Sequence, residues 1–278
     1  MGSRLIAPAK RIMGMVSIST HQDCRTVQKL SFCYLCGKEF EPADERTRDH
    51  LPPETAFALA DKQTGPVLWL PAHKPCNEAQ GTTDQKLGQL IGLRRSEVPA
   101  SRRDRQLKFT LFPRQALGAI TNLNIDQAIW RWVRGFHAAL YREHMPNAPM
   151  RALTTPFPRA EQKSGHAVVE PMKEPQHRII VQTIKTNRAK RNLDLVHTHD
   201  GKLRYEAVWV QSDQGVWMCF FGLDIYDWID LGDAEVQQRR GCAGCYALPD
   251  GGYPANATRA VSTQIIVPNR HPLDPFGA

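Results

Sequence analysis

Four residues that bind soft metal ions stand in two close pairs within residues 33–76. Cys33 and Cys36 form one pair, His73 and Cys76 form the other, and two residues separate the members of each pair. Two such pairs can surround one ion tetrahedrally, and sulfur and imidazole ligands favour zinc over magnesium or calcium. The sequence therefore predicts a closed, structural zinc site. The alternative is that these are buried thiols whose spacing is accidental.

Three further polar residues lie between the two pairs or directly after the last ligand: Asp49, His50 and Asn77. Folding around the zinc ion would bring them into one neighbourhood. Hydrolysis of a phosphodiester needs a base that deprotonates water and a hard cation that neutralises charge growing on the phosphate. An imidazole, with an ordinary pKa of about 6.5, suits the base, and carboxylate and amide oxygens suit Mg²⁺ or Mn²⁺. A surface turn with a structural histidine is the alternative interpretation.

This segment resembles the HNH endonuclease family, whose ββα-metal (His-Me finger) fold carries a Cys-x-x-Cys, an Asp-His-x-x-Pro and a second cysteine pair followed by His or Asn. More narrowly, residues 49–57 are similar to the pattern Asp-His-x-Pro-Pro-x-x-x-Phe of uncharacterised bacterial HNH proteins. The resemblance implies an endonuclease that cuts DNA, with RNA not excluded. It also implies a general base, His50, catalytic-metal ligands, Asp49 and Asn77, and zinc ligands, Cys33, Cys36 and Cys76.

Two positions depart from the family's pattern. His73 stands where the family usually has cysteine, a replacement that zinc tolerates. No asparagine occurs between His50 and Cys76, although the family's middle Asn commonly braces the loop that bears the base. This second departure keeps an alternative open, in which the chain is a non-catalytic, zinc-containing module that binds nucleic acid, or a partner subunit.

The charge of the chain is compatible with a polyanionic partner. Among 278 residues, 36 Lys and Arg outweigh 28 Asp and Glu, which gives a net charge of +8. Arg46 and Arg48, beside the predicted base, are expected to contact the scissile phosphate. Arg94 and Arg95 open a basic run that is expected to contact the nucleic-acid backbone. A solvated linker is the alternative interpretation of that run.

The sequence favours a cytoplasmic location with no membrane contact. No run of about eighteen apolar residues occurs, and Pro8, Lys10 and Arg11 interrupt any signal-peptide core. An odd number of cysteines, seven, in spacings typical of metal sites argues against a disulfide framework. A protein partner or a homo-oligomer is left open, and phage, mobile-element and defence settings all suit such a nuclease.

The predicted fold is α+β, with a zinc-stapled ββα nuclease module and an accessory domain. We expect an N-terminal extension over residues 1–29, where no helical or strand period is present, the module over 30–96 and the accessory domain over 97–278. Within the module, residues 30–34 and 67–70 are predicted strands, and a helix is predicted from Cys76 onward. Asp84 is expected near a helix start, where an acid complements the dipole; a carboxylate that binds the metal or supports one of its ligands is the alternative.

The accessory domain is predicted from a change in hydrophobic period. Residues 124–144 repeat apolar side chains at helical spacing, with Arg131 and Arg134 off the apolar face, which predicts one long amphipathic helix. The period then becomes two, which predicts an antiparallel sheet packed on that helix. The predicted strands span 179–184, 193–197, 203–211 and 216–221, with turns at 200–201 and 212–215.

Cys242 and Cys245 form a third close pair, but no second pair follows them. One pair alone is weak support for a metal site. The pair is expected either to bind a second zinc, with partners from His197, His199 and Cys219 or from His21 and Cys24, or to bind none.

Overall fold

The computed structural model describes residues 16–56, 65–94, 107–112, 117–120, 123, 125–146, 150–154, 170–171, 174–212, 215–225 and 242–260. This part of the chain is mixed α and β, as the sequence predicts. The strands are β1 (Ser17–Ile18), β2 (Arg46–His50), β3 (Trp69–His73), β4 (Phe109–Phe112), β5 (Leu117–Ile120), β6 (Met150–Thr154), β7 (Glu170–Pro171), β8 (Asp194–Thr198), β9 (Leu203–Gln211), β10 (Trp217–Ile225) and β11 (Cys242–Tyr246). The helices are α1 (His21–Val27), α2 (Lys74–Arg94), α3 (Ile125–Tyr141) and α4 (Glu174–Ala189).

The largest sheet has seven strands in the order β1-β8-β9-β10-β11-β6-β7. Its central pairs are antiparallel, whereas the outermost pairs, β1 with β8 and β6 with β7, are parallel. Two smaller antiparallel pairs, β2 with β3 and β4 with β5, lie outside this sheet. Strand β9 pairs antiparallel with β8 and with β10, so both predicted hairpins are confirmed. Residues 213 and 214 of the second predicted turn lie outside the described residues.

Helices α3 and α4 cover opposite faces of the large sheet. Successive residues of a strand point to opposite faces. Accordingly Phe221 lies in the buried cluster that contains the α3 residue Phe136, while its neighbour Phe220 lies in the cluster with Ile184 of α4. The sheet therefore has an apolar layer on each side.

Helix α4 replaces the strand predicted over residues 179–184. The run of β-branched residues there favoured a strand. However, the buried residues of this segment, Ile180, Ile184 and Asn187, recur at intervals of three or four, the spacing of one helix face. Packing of that face on the sheet outweighs the local propensity, and the strand prediction is wrong.

Helix α3 is buried nearly all round, between the large sheet and the ββα unit. Every residue from Ala128 to Tyr141 is buried, including Arg131 and Arg134, which are each 5% exposed. Arg134 donates through Nε to the Met145 carbonyl and through Nη2 to the Leu35 carbonyl, both at 2.9 Å. The predicted helix is confirmed. The face of α3 that bears the arginines is not exposed to solvent, because the ββα unit packs against it.

The segment before residue 30 contains a strand and a helix that were not predicted from the sequence. Strand β1 pairs with β8, and the Val16 amide donates to the buried carboxylate of Asp194 at 3.0 Å. Helix α1 begins after Thr20, which forms a capping box with Asp23. The Thr-x-x-Asp spacing was a usable signal for this helix start.

Strands β2 and β3 and helix α2 follow one another in the chain and form a ββα unit. The predicted strand over residues 30–34 is wrong, because the chain there forms a turn with one isolated bridge between Phe32 and Glu39. The first strand of the unit is β2. The second strand lies close to its predicted position, and the helix begins at Lys74, two residues before Cys76. Buried residues of the unit, Leu70 among them, belong to the same apolar cluster as α3.

None of the described helices combines the length and the apolar character needed to cross a lipid bilayer.

Candidate metal centre and active site

Cys33, Cys36, His73 and Cys76 form a compact group whose ligand atoms all lie within 4.8 Å of one another. The shortest sulfur–nitrogen separation, between Cys36 Sγ and His73 Nδ1, is 3.3 Å. Ligands of a tetrahedral zinc ion lie about 3.5 to 3.8 Å apart, so ligand atoms that all lie within 4.8 Å of one another need only small adjustments to surround a metal. Within the described residues it is the one such group of His, Cys, Asp or Glu.

A tight turn holds the first two ligands. The Gly37 amide donates to the Cys33 carbonyl at 2.8 Å, and the Cys33 amide donates to the Lys38 carbonyl at 2.9 Å. Gly37 has a φ of +80°, a value that glycine adopts without strain. The remaining ligands come from the end of β3 and the first turn of α2. A metal ion bound by these four residues would therefore join the turn, β3 and the helix.

Asp44 orients the imidazole of His73. Its Oδ2 lies 3.1 Å from His73 Nε2, while Nδ1 of the same ring faces Cys36. The Glu41 amide donates to this carboxylate at 2.7 Å and lowers its pKa below the ordinary value. Metal-binding histidines commonly have such a carboxylate behind them. The role of Asp44 could not be predicted from the sequence, because nothing local distinguishes it from the neighbouring Glu41 and Glu45.

The pKa values of the thiols show that the group suits a cation. Burial and the adjacent charges of Cys33 and Cys36 raise the pKa of Cys76 to about 12. Burial also opposes ionisation of Cys36, but hydrogen bonds with the Lys38 backbone and His73 outweigh it and lower its pKa. The raised pKa of Cys76 reflects the cost of placing its negative charge in this group, a cost that a bound divalent ion would offset.

His50 is the last residue of β2, and its side chain is partly buried and paired with Glu54. Its Nδ1 is 2.7 Å from Glu54 Oε1. Strand alternation places Arg46 and Arg48 on the same side of β2 as His50, and both arginines are exposed. Their guanidinium groups lie over aromatic rings, 4.6 Å from the centroid of Phe40 and 4.9 Å from that of Trp69. The predicted base and the two predicted phosphate contacts thus share one side of the strand.

Asp49 lies on the opposite, buried side of β2. Tyr34 donates its hydroxyl to Asp49 Oδ2 at 2.5 Å, and Arg131 Nη1 lies 3.7 Å from the same oxygen. Burial raises the pKa of Asp49, against the opposing effect of Arg131. The structure therefore does not place this carboxylate on the side that bears His50.

Asp84 is the second acid held by Arg131, which donates to it through Nη2. The residue lies in the middle of α2, so its expected position at a helix start is wrong. Burial raises the pKa of Asp84 to about 6, although Arg131 opposes this shift. A contact between α2 and α3 could not be inferred from the local sequence.

Asn77 joins the first turn of α2 to β2. Its Nδ2 donates to Thr47 Oγ1 at 3.0 Å and to the Arg48 carbonyl at 3.2 Å. Thr47 and Asp49 are two residues apart on β2 and so lie on the same side of the strand. The side-chain oxygen of Asn77 has no protein partner among the described residues. The structure thus brings Asn77 against the strand that carries the Asp-His pair.

The side chains of Arg94 and Arg95, the second predicted pair of phosphate contacts, are not placed by the structure. Arg94 is the last residue of α2, and the position of its side chain is not described; Arg95 lies outside the described residues. Their contact with nucleic acid stays a prediction.

Cys242 and Cys245 lie on opposite faces of β11. Cys242 belongs to the apolar cluster on the α3 side, and Cys245 to the cluster on the α4 side, as their odd spacing on a strand requires. They cannot converge on one ion. The option of a second zinc site built on this pair is therefore wrong.

The chain matches no protein-family model, and comparisons with curated proteins and with solved structures give no match.

Proposed function

We propose that this protein is a metal-dependent endonuclease that hydrolyses DNA phosphodiester bonds. The observation that carries the proposal is the arrangement of the ββα unit. The Cys₃His group takes its ligands from the turn at Cys33 and Cys36, from β3, which pairs with the strand that bears His50, and from the helix that bears Asn77. A zinc ion held there would be structural, because four protein ligands leave no open position.

The side chains on one side of β2 suit attack on a phosphate. His50 is the general base that takes a proton from water, and Arg46 and Arg48 hold the phosphate oxygens. The net charge of +8 favours approach of a polyanion. Aromatic rings beneath the two arginines fix the guanidinium groups in place.

Asn77 and Asp49 are the proposed ligands of a catalytic Mg²⁺ or Mn²⁺, through oxygens not used in the contacts described above. Such a hard cation, when bound, stabilises charge on the phosphate and on the leaving oxygen. Asp49 has one oxygen engaged by Tyr34 and Arg131, so its second oxygen must serve.

A nucleic-acid-binding module without catalysis is the second candidate function. The observation that favours it is the ion pair of Asp49, because a carboxylate held on the buried side by Arg131 is poorly exposed to a hydrated cation. This module would use the exposed arginines for binding and keep zinc for folding.

Nicking of supercoiled plasmid with Mg²⁺, followed by addition of EDTA, tests the proposal. His50→Ala should lower the cleavage rate by about 10²- to 10⁴-fold and leave zinc content and thermal stability unchanged. His21→Ala, at an exposed residue of α1, is the matched control and should cut like the wild type. Binding without cleavage by the wild type would favour the second candidate. Cleavage by His50→Ala at the wild-type rate would refute the proposed base.

A further inference from the structure

Glu54 and His50 form a carboxylate–imidazole pair beside the proposed phosphate contacts. The 2.7 Å separation between Glu54 Oε1 and His50 Nδ1 is that of a strong hydrogen bond. The imidazole is 23% exposed and the carboxylate 56% exposed, so the pair lies at the surface of the site. His50 Nε2 has no protein partner among the described residues.

The backbone around Glu54 is anchored, which places the start of its side chain beside His50. Glu54 begins a short 3-10 turn that ends at Ala56, and the Ala56 amide donates to the Pro53 carbonyl at 2.8 Å. Leu51 and Ala56 are fully buried, and the Leu51 amide donates to the Leu68 carbonyl at 3.0 Å. Glu54 therefore projects from a backbone anchored on both sides.

A carboxylate bound to one ring nitrogen decides where a neutral imidazole carries its proton. A proton on Nδ1 is stabilised by the acceptor, and the lone pair is then left on Nε2. A base needs that lone pair directed at the attacking water, and a fixed ring loses less freedom when the water binds.

We propose that Glu54 is a positioning residue that keeps the proton of His50 on Nδ1 and presents Nε2 as the base. This inference rests on the proposed function. The water gives its proton to Nε2 and its oxygen bonds to phosphorus. The bond from phosphorus to the leaving oxygen breaks, and that oxygen keeps the electron pair and takes a proton from solvent. Glu54 touches neither water nor phosphate; it acts through the orientation and protonation of His50.

Two measurements on full-length Glu54→Ala, Glu54→Gln and Glu45→Gln test the proposal. Glu45, an exposed glutamate paired with Lys74 at 3.0 Å, is the matched control. The first measurement is kcat and KM for nicking; the second is the position of the neutral ring proton of His50, from ¹⁵N NMR of the zinc-loaded protein. Glu54→Ala should lower kcat about tenfold and leave KM unchanged. This loss is smaller than that expected for His50→Ala, because water partly replaces an exposed hydrogen-bond acceptor.

The wild type and Glu45→Gln should carry the His50 proton on Nδ1, and Glu54→Ala should lose that preference. Glu54→Gln should give an intermediate kcat, since its amide oxygen still accepts from Nδ1 but carries no charge. An unchanged kcat, or an unchanged ring proton, in Glu54→Ala overturns the proposal. If the wild type cuts no substrate, the proposed function fails, and the NMR comparison alone then decides whether Glu54 sets the proton of His50.

Discussion

The two sides of helix α3 are held by different forces. Toward the large sheet the contacts are mainly apolar and aromatic, as where Phe136 stacks on Tyr205 with ring centroids 4.6 Å apart, with a few buried hydrogen bonds such as that from the Tyr141 hydroxyl to Asp194. Toward the ββα unit and its metal-binding turn, apolar contacts are joined by buried contacts of arginine, with Arg134 bound to the Leu35 carbonyl and Arg131 bound to Asp84. Apolar burial is the main contribution at the first interface. The second depends on charge pairing and on the predicted metal, and its stability should respond to both.

Loss of a metal ligand should have the largest effect. Cys76→Ser should abolish stoichiometric zinc binding, loosen the ββα unit and remove cleavage together, because binding of a structural zinc contributes about 10 to 16 kcal/mol in small zinc domains. Elemental analysis, circular dichroism and plasmid nicking measure the three effects. Cys24→Ser, at a buried thiol outside the group, is the control and should keep its zinc. Full zinc occupancy in Cys76→Ser would show that the ligand set is wrong.

Removal of the buried arginine should have the next largest effect. Arg131→Met leaves Asp49 and Asp84 buried without their cation, so the free energy of unfolding should fall by about 3 to 5 kcal/mol. Lys74→Met, which breaks the exposed pair with Glu45, should cost less than about 1 kcal/mol. Urea denaturation measures both values. An equal, small loss in the two variants would mean that the polar interface is not held by this charge pair.

Replacement of Asp44, whose carboxylate orients His73, should have the smallest effect. Asp44→Asn should weaken zinc binding by about 10- to 100-fold, because the imidazole loses its orienting carboxylate. Competition with a zinc chelator measures the affinity. In a His73→Cys background, which keeps four zinc ligands, the same Asp44 change should have no effect. A loss of equal size in both backgrounds would show that Asp44 does not act through His73.

Features set by local sequence patterns could be predicted, whereas contacts between residues distant in the chain could not. The zinc ligands follow from spacing, and α3 and the hairpins follow from hydrophobic period and turn residues, because these signals lie within a few neighbouring residues. The partners of Asp49, His73 and Asp84 come from residues that no local pattern singles out. Arg131 is 82 residues from Asp49 in the chain, and only the packing of α3 against the ββα unit brings them together. The buried arginine side of α3 was missed for the same reason.

Region-resolved hydrogen exchange with and without zinc tests the central claim, that a metal ion holds the ββα unit while apolar packing holds the sheet. After zinc is removed by a strong chelator, amide exchange should accelerate in residues 33–46 and in the first turns of α2. The Cys33 and Gly37 amides, hydrogen-bonded inside the metal-binding turn, lie in the first of these segments. Exchange in β9 and β10 should not change. Equal exchange before and after chelation in residues 33–46, or a uniform acceleration that includes β9 and β10, would contradict the account.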